Sequence, residues 1–70
     1  MDLGTQLRKY RVAHGYSQQF VADYLEISRN AYMAKEDNKV ALSVNQMLRI
    51  CNLYNVSISN FLNLGAEISN

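Results

Sequence analysis

The feature that most constrains this chain is a serine pattern that occurs four times. In each case an apolar residue precedes the serine, and a second apolar residue follows the serine by four positions. A serine placed in this way caps the first turn of a helix, while the two apolar residues pack together across the cap. The four instances are Tyr16-Ser17 with Val21, Ile27-Ser28 with Tyr32, Leu42-Ser43 with Met47, and Val56-Ser57 with Phe61. The pattern therefore predicts four helix starts.

A further helix precedes these four. Leu3, Leu7, Tyr10 and His14 recur at helical spacing, and Gly15 then supplies a left-handed end. Asn38 and Asn55 are suited to end the third and fourth helices in the same way. The chain contains no proline and no sustained alternation of the strand type. We predict an all-α, compact five-helix domain with helices at residues 3–14, 18–24, 29–37, 44–54 and 58–64.

Length and composition exclude several classes of protein. Seventy residues build one small core, so residues 1–70 are expected to form a single domain without a second lobe for an enzyme site. The single Cys51 has no disulfide partner, and with His14 as the one other soft ligand no four-ligand zinc site forms. No carboxylate pair, nucleophile with a base, or phosphate-binding glycine loop is present. We expect no catalytic residue, metal or cofactor.

The distribution of charged and apolar residues bears on the cellular location of the protein and on its partner. The first residues lack the basic and apolar regions of a secretory signal, and the long uncharged run near the carboxyl end carries four asparagines. We therefore expect a cytoplasmic protein without a membrane segment. The net charge of +1 permits a nucleic acid partner but does not announce one.

The joint between the second and third predicted helices is the informative one. Only about three residues separate the helices there, which is typical of a helix-turn-helix. Ala22, one turn before the joint, permits close approach of the two helices. The second helix of such a pair can project into the major groove of DNA. The sequence thus predicts a helix-turn-helix at about residues 18–37.

The residues around this joint resemble a known family. The segments concerned are residues 16–22 (YSQQFVA), Leu25, residues 27–29 (ISR) and 36–39 (EDNK), with Leu3-Gly4, Leu7-Arg8 and Arg11 before them and residues 51–62 after them. Together they resemble the helix-turn-helix domain of the lambda repressor and Cro superfamily. The resemblance implies a five-helix DNA-binding domain of a bacterial or phage transcriptional regulator of the repressor type, which usually binds its operator as a dimer.

Three positions depart from that family's usual pattern. Glu26 stands where the turn often has glycine, and a glutamate at positive φ costs about 1 kcal/mol or more. Tyr32 replaces a smaller aliphatic residue. Lys35 occupies a place that is usually apolar, and we expect its stem on the core with the ammonium reaching outward.

The outward face of the third helix supplies the candidates for contact with bases. Arg29 can donate two hydrogen bonds to guanine, Asn30 can pair with adenine, and Met33 can touch a thymine methyl. An unoccupied solvated face is the alternative for Arg29 and Asn30. For Met33 the alternative is a protein contact.

Four further residues are candidates for contact with phosphate. Gln18 opens the second helix, where unpaired amides and the helix dipole attract an anion. The resemblance adds a bracing contact from Gln18 to the side chain at Arg29. The other three are Gln19, Ser28 and Lys39.

The resemblance also pairs Arg11 with Glu36, in an ion pair that ties the first helix to the third. We interpret both residues as structural.

The carboxyl end of the chain suggests self-association. Phe61, Leu64 and Ile68 follow one another at helical spacing, and the first turn of the fifth helix already suffices to close the core. We expect a homodimer through these three residues, with a frayed tail as the alternative.

Two functions remain open from the sequence alone. The first is sequence-specific binding of a double-stranded DNA operator. The second is a protein-interaction module that keeps the helix-turn-helix fold without specific DNA binding.

Overall fold

The structure, a computed structural model, describes residues 2–62 and contains five α-helices over that range. They are α1 (Leu3–Ala13), α2 (Gln18–Leu25), α3 (Arg29–Glu36), α4 (Val44–Tyr54) and α5 (Ile58–Phe61). The predicted all-α fold is confirmed, and every helix begins where the sequence indicates. α2 ends one residue later than predicted, whereas α1 and α3 each end one residue earlier. α5 ends at Phe61, with Leu62 as its C-cap, so it is shorter than the predicted 58–64; residue 64 itself lies outside the described residues.

The caps explain why the helix starts were predictable. Each of the four serine hydroxyls accepts a hydrogen bond from the backbone amide three residues later. At α4 the Gln46 side chain also accepts from the Ser43 backbone amide, which completes a capping box. α1 has a cap that the sequence analysis did not single out, since Asp2 accepts from the amide of Thr5.

The four longer helices end in one common geometry. At each end a left-handed residue follows the helix, and the next amide reaches back five residues, as in a Schellman motif. In α2, for example, the Ile27 amide donates to Ala22 O at 3.0 Å. The four left-handed residues are Gly15, Glu26, Asn38 and Asn55. The predicted roles of Gly15, Asn38 and Asn55 are confirmed.

All five helices contribute side chains to one core. Its buried apolar residues are Leu7, Val21, Ala22, Leu25, Tyr32, Ile50, Cys51, Tyr54 and Phe61. Phe61 is fully buried and its ring lies 5.8 Å from the ring of Tyr10. The expectation that Phe61 forms a dimer contact is therefore wrong, because its side chain is already used inside the chain. Leu64 and Ile68 lie outside the described residues.

α1 approaches the end of α3 so closely that only glycine fits. A Cβ built on Gly4 would lie 2.2 Å from the carbonyl oxygen of Glu36. The backbone amide of Gly4 donates to Asn38 Oδ1 at 3.0 Å. The side-chain Nδ2 of Asn38 in turn donates to the Asp2 carboxylate. These contacts fix the start of α1 against the end of α3.

Lys35 is buried, as the helical period predicts, but its ammonium does not reach outward. Its Nζ donates to the carbonyl oxygen of Ala41 at 3.1 Å, and the residue is only 8% exposed. The expectation of a solvated ammonium is wrong because the α3–α4 loop folds back over the side chain. Lys35 therefore ties α3 to this loop.

Candidate nucleic-acid interface

α2 and α3 are joined by Glu26, Ile27 and Ser28 alone, and together they form a helix-turn-helix. Glu26 has φ 61° and ψ 40°, so this departure from glycine leaves the left-handed turn in place. Ile27 packs against the core, and Ser28 caps α3 by accepting from the Ala31 amide. The turn is therefore fixed from both sides.

The two faces of α3 differ sharply. Tyr32, Lys35 and Glu36 are buried against the rest of the domain. Arg29 and Asn30 are exposed at the amino-terminal end of the helix, and Met33 is half-buried. The structure thus leaves Arg29 and Asn30 exposed beside each other and Met33 half-buried one turn later in α3.

Arg29 shares an open depression with the start of α2. The depression is lined by Arg11, Ser17, Gln18, Gln19 and Arg29. The first backbone amides of a helix have no partner within the helix, so they point into this region with the positive end of the helix dipole. A negatively charged group held there would also meet the Arg29 guanidinium.

Gln18 lies in this depression but does not brace Arg29. Its Nε2 instead donates to Glu36 Oε1 at 3.3 Å. The expected bracing contact is therefore wrong, because the Glu36 carboxylate lies directly behind the start of α2. Gln18 links the depression to the interior of the domain.

Glu36 is the acceptor at which α1, α2 and α3 meet. Arg11 donates to it through Nε at 2.6 Å and through Nη2 at 3.3 Å, and Arg8 Nε lies 3.5 Å away. The sequence-predicted residues Arg11 and Glu36 are thus brought together. Burial of the Glu36 side chain opposes ionisation, but the hydrogen bonds from Arg11 and Gln18 hold its pKa below the ordinary value.

The ion pair also changes the pKa of its second member, Arg11. The hydrogen bond to Glu36 raises the pKa of Arg11, so this ion pair stays charged at any physiological pH. Arg11 Nη1 also donates to the carbonyl oxygen of Tyr16 at 3.1 Å, which ties the pair to the residue that precedes the cap of α2. The pair orients α1, α2 and α3 relative to one another.

The remaining phosphate candidates are placed separately. Ser28 is exposed, and its hydroxyl oxygen is engaged as the cap of α3 while its hydrogen is available to an acceptor. Gln19 donates to Asp23 Oδ1 at 2.8 Å along α2. Lys39 is exposed in the α3–α4 loop. Only Gln19 lines the depression, so the structure does not gather the three into one site.

Sequence reasoning missed the contacts that hold this surface from behind. Arg8 joins the Glu36 cluster and also lies 3.2 Å from the carboxylate of Asp37. Arg49 on α4 reaches the last turn of α2. A regular α1 period marks Arg8 as surface, and no local pattern connects Arg49 with α2, so neither contact has a signal in the sequence.

Two other kinds of site are absent from the part of the chain that the structure describes. Among residues 2–62, no three His, Cys, Asp or Glu side chains lie close enough to ligate a metal ion. Over the same residues, no helix is both long and apolar enough to cross a bilayer.

Comparison with known proteins places the chain in a family. A family model described as helix-turn-helix matches residues 7–61. A protein of Bacillus subtilis (strain 168), named as an SPbeta prophage-derived uncharacterized HTH-type transcriptional regulator, YonR, is 37% identical over 64 residues. That alignment covers 91% of this chain, and the chain spans 58% of the length of the relative. No solved structure matches significantly. With five helices, a short α2–α3 turn and this match, the chain belongs to the helix-turn-helix family of the lambda repressor and Cro type.

Proposed function

We propose that this chain binds double-stranded DNA in a sequence-dependent way, as the cytoplasmic DNA-binding domain of a repressor-type transcriptional regulator. α3 enters the major groove, and the start of α2 faces the phosphate backbone. The function is one of binding, without a catalytic step. The relative named as a transcriptional regulator supports the assignment at the level of the family.

One observation carries the proposal. Arg29 and Asn30 are exposed at the start of α3, and Arg29 lines the same depression as the start of α2. A helix start attracts phosphate, and the first residues of a recognition helix are those that reach base edges. Arg29 is the candidate for guanine, Asn30 for adenine, and the half-buried Met33 for a thymine methyl.

Phosphate contacts complete the interface. Gln18, Gln19 and Ser28 surround the helix starts, and Lys39 lies in the loop after α3. Such contacts set the position of the domain on the duplex and carry no direct sequence information. Leu64 and Ile68 remain the candidates for a homodimer contact.

Selection of DNA from a random pool at two salt concentrations tests the function. We expect enrichment of one motif, and a twofold-symmetric motif would support binding as a dimer. Absence of any enriched motif, together with retention of other proteins that does not depend on salt, would favour the protein-interaction module instead.

Variants on the selected duplex then assign the roles of the residues. Arg29→Ala should relax preference at one base pair and cost about 1–3 kcal/mol on that duplex. Lys39→Ala should weaken the selected and a scrambled duplex alike and reduce the salt slope by about 1. Lys39 is the better phosphate control, since removal of Gln18 would also disturb Glu36. Unchanged base preference in Arg29→Ala would contradict the role of α3 as the reader.

A further inference from the structure

Arg49, on α4, holds the end of α2 at the turn that leads into α3. Its Nη2 donates to the carbonyl oxygen of Tyr24 at 2.7 Å and lies 3.3 Å from Glu26 Oε2. The guanidinium carbon also lies 5.5 Å from the centre of the Tyr24 ring, in cation–π geometry. One side chain thus makes three contacts with the last turn of α2.

The carbonyl that Arg49 meets is one that the helix leaves without a backbone donor. In the Schellman motif of α2, the amide of Glu26 donates to Asp23 and the amide of Ile27 donates to Ala22. The Tyr24 carbonyl is among the last four of the helix and accepts a hydrogen bond from neither of these amides. A guanidinium at this position also meets the negative end of the helix dipole.

The contact with Glu26 falls on the strained residue of the turn. Glu26 has a left-handed backbone, which a residue with a Cβ adopts at a cost. Its carboxylate is drawn toward Arg49, while Asn52 Nδ2 donates to the Tyr24 hydroxyl at 3.2 Å from the next turn of α4. α4 therefore contacts both Tyr24, in the last turn of α2, and Glu26, the left-handed residue of the α2–α3 turn.

We infer that Arg49 is a positioning residue for DNA recognition, acting through the α2–α3 turn and not through contact with bases. The inference rests on the proposed function. Arg29 begins α3 three residues after Glu26, so the backbone angles of this turn set where its guanidinium points. An arginine that donates two hydrogen bonds to guanine must hold its guanidinium in one orientation. Flexible side chains that bind phosphate keep their contact when the helix shifts slightly. Loss of Arg49 should therefore reduce specificity more than general affinity.

The test compares Arg49→Ala with the wild-type chain on the selected duplex and on a scrambled duplex of equal length. Both are measured well below the unfolding transition, with circular dichroism to confirm that the helices are intact. We expect the ratio of the two affinities to fall about five- to tenfold, because misalignment removes part of the discrimination of a two-bond base contact. Affinity for the scrambled duplex should change less than about twofold, since phosphate contacts are unaffected.

Two variants sharpen the result. Lys9→Ala removes an exposed cation on α1 and serves as the matched loss of charge, so it should leave the ratio unchanged. Glu26→Gly, introduced into Arg49→Ala, should restore part of the ratio, because glycine adopts the left-handed turn without strain. The double variant has the net charge of the wild-type chain, so a purely electrostatic role would restore affinity for both duplexes alike and leave their ratio unchanged.

The outcomes separate the two proposals. If the wild-type chain selects a motif but Arg49→Ala keeps the same ratio, the positioning role is wrong. Equal losses on both duplexes would make Arg49 a phosphate contact and would also overturn it. If the wild-type chain selects no motif, the proposed function fails first and the role of Arg49 in it fails as well.

Discussion

At the scale of single residues, Gly4 shows how little room the fold leaves between α1 and α3. In Gly4→Ala the new Cβ meets the Glu36 carbonyl, so the helices must separate. We expect a loss of about 1–3 kcal/mol in the free energy of unfolding, measured in urea. Gly15→Ala is the comparison, since open space surrounds that position and only its φ of 70° resists a side chain. It should cost less, about 1 kcal/mol. Equal stability of Gly4→Ala and the wild-type chain would contradict the close contact.

Lys35 gives a second prediction at this scale. Lys35→Met keeps most of the stem but removes the ammonium, so the carbonyl of Ala41 loses its donor. We expect the variant to be less stable by about 1 kcal/mol, the usual net value of a hydrogen bond. Lys39→Met, at an exposed site in the adjoining loop, should change stability by less than about 0.5 kcal/mol. A more stable Lys35→Met would show that burial of the stem outweighs the bond.

At the scale of elements, the cap of α1 makes the stability of the fold depend on pH in the acidic range. Hydrogen bonds from the amide and the hydroxyl of Thr5, and then from Asn38, lower the pKa of Asp2 to about 2. Because the folded state holds the carboxylate ionised, the stabilisation is present above the ordinary pKa of aspartate. It is lost as the pH falls from about 4 toward 2.

Asp2→Asn tests this assignment. Asparagine still offers an oxygen to the Thr5 amide but carries no charge, so stability at neutral pH should fall toward that of the chain with a protonated Asp2. The decrease in stability between pH 4 and pH 2 should become shallower, because one of the carboxylates that drive it is absent. Thermal unfolding across this range measures the slope, and Asp23→Asn on α2 is the control. The remaining slope should follow Glu36, whose pKa is also held low. The same slope in Asp2→Asn would contradict the assignment.

The helices and turns also show how much of the structure can be predicted from the sequence. Four of the five helix starts are local, since a serine and two apolar neighbours specify each of the four, and asparagine or glycine marks three of the four left-handed ends. The exposed Arg29 and Asn30 follow from the helical period in the same way. The contacts of Gln18, Lys35 and Arg49 could not be predicted, because each joins residues that only the packing of helices brings together. Glu26 at a left-handed end has no such marker, and no local pattern indicates its contact with Arg49.

At the scale of the whole molecule, most of the positive charge is used internally. Of seven Lys and Arg residues, Arg8, Arg11 and Arg49 face carboxylates, and Lys35 donates to a carbonyl. Among residues 2–62, this leaves three cations that have neither an acidic partner within 4 Å nor the carbonyl contact of Lys35. They are Lys9, Arg29 and Lys39.

A shallow salt dependence of DNA binding follows. With at most three phosphates neutralised by each domain, the logarithm of affinity should fall with the logarithm of salt concentration at a slope of about −3 or shallower. Titrations of a duplex at four salt concentrations measure the slope for one bound domain. A slope steeper than about −5 would mean that the internal ion pairs open on DNA.

The division of α3 into a buried and an exposed face has a consequence for how such a protein can evolve. Tyr32 and Glu36 anchor the helix through buried side chains, whereas Arg29 and Asn30 are exposed. The exposed positions can therefore change residue type, and with it the preferred operator, at little expense in stability. The number of residues between the start of α3 and Tyr32 cannot change, because one inserted residue would turn the preceding positions by about 100° around the helix axis. New specificities in this lineage should therefore arise by substitution at the start of α3, with insertions and deletions excluded from it.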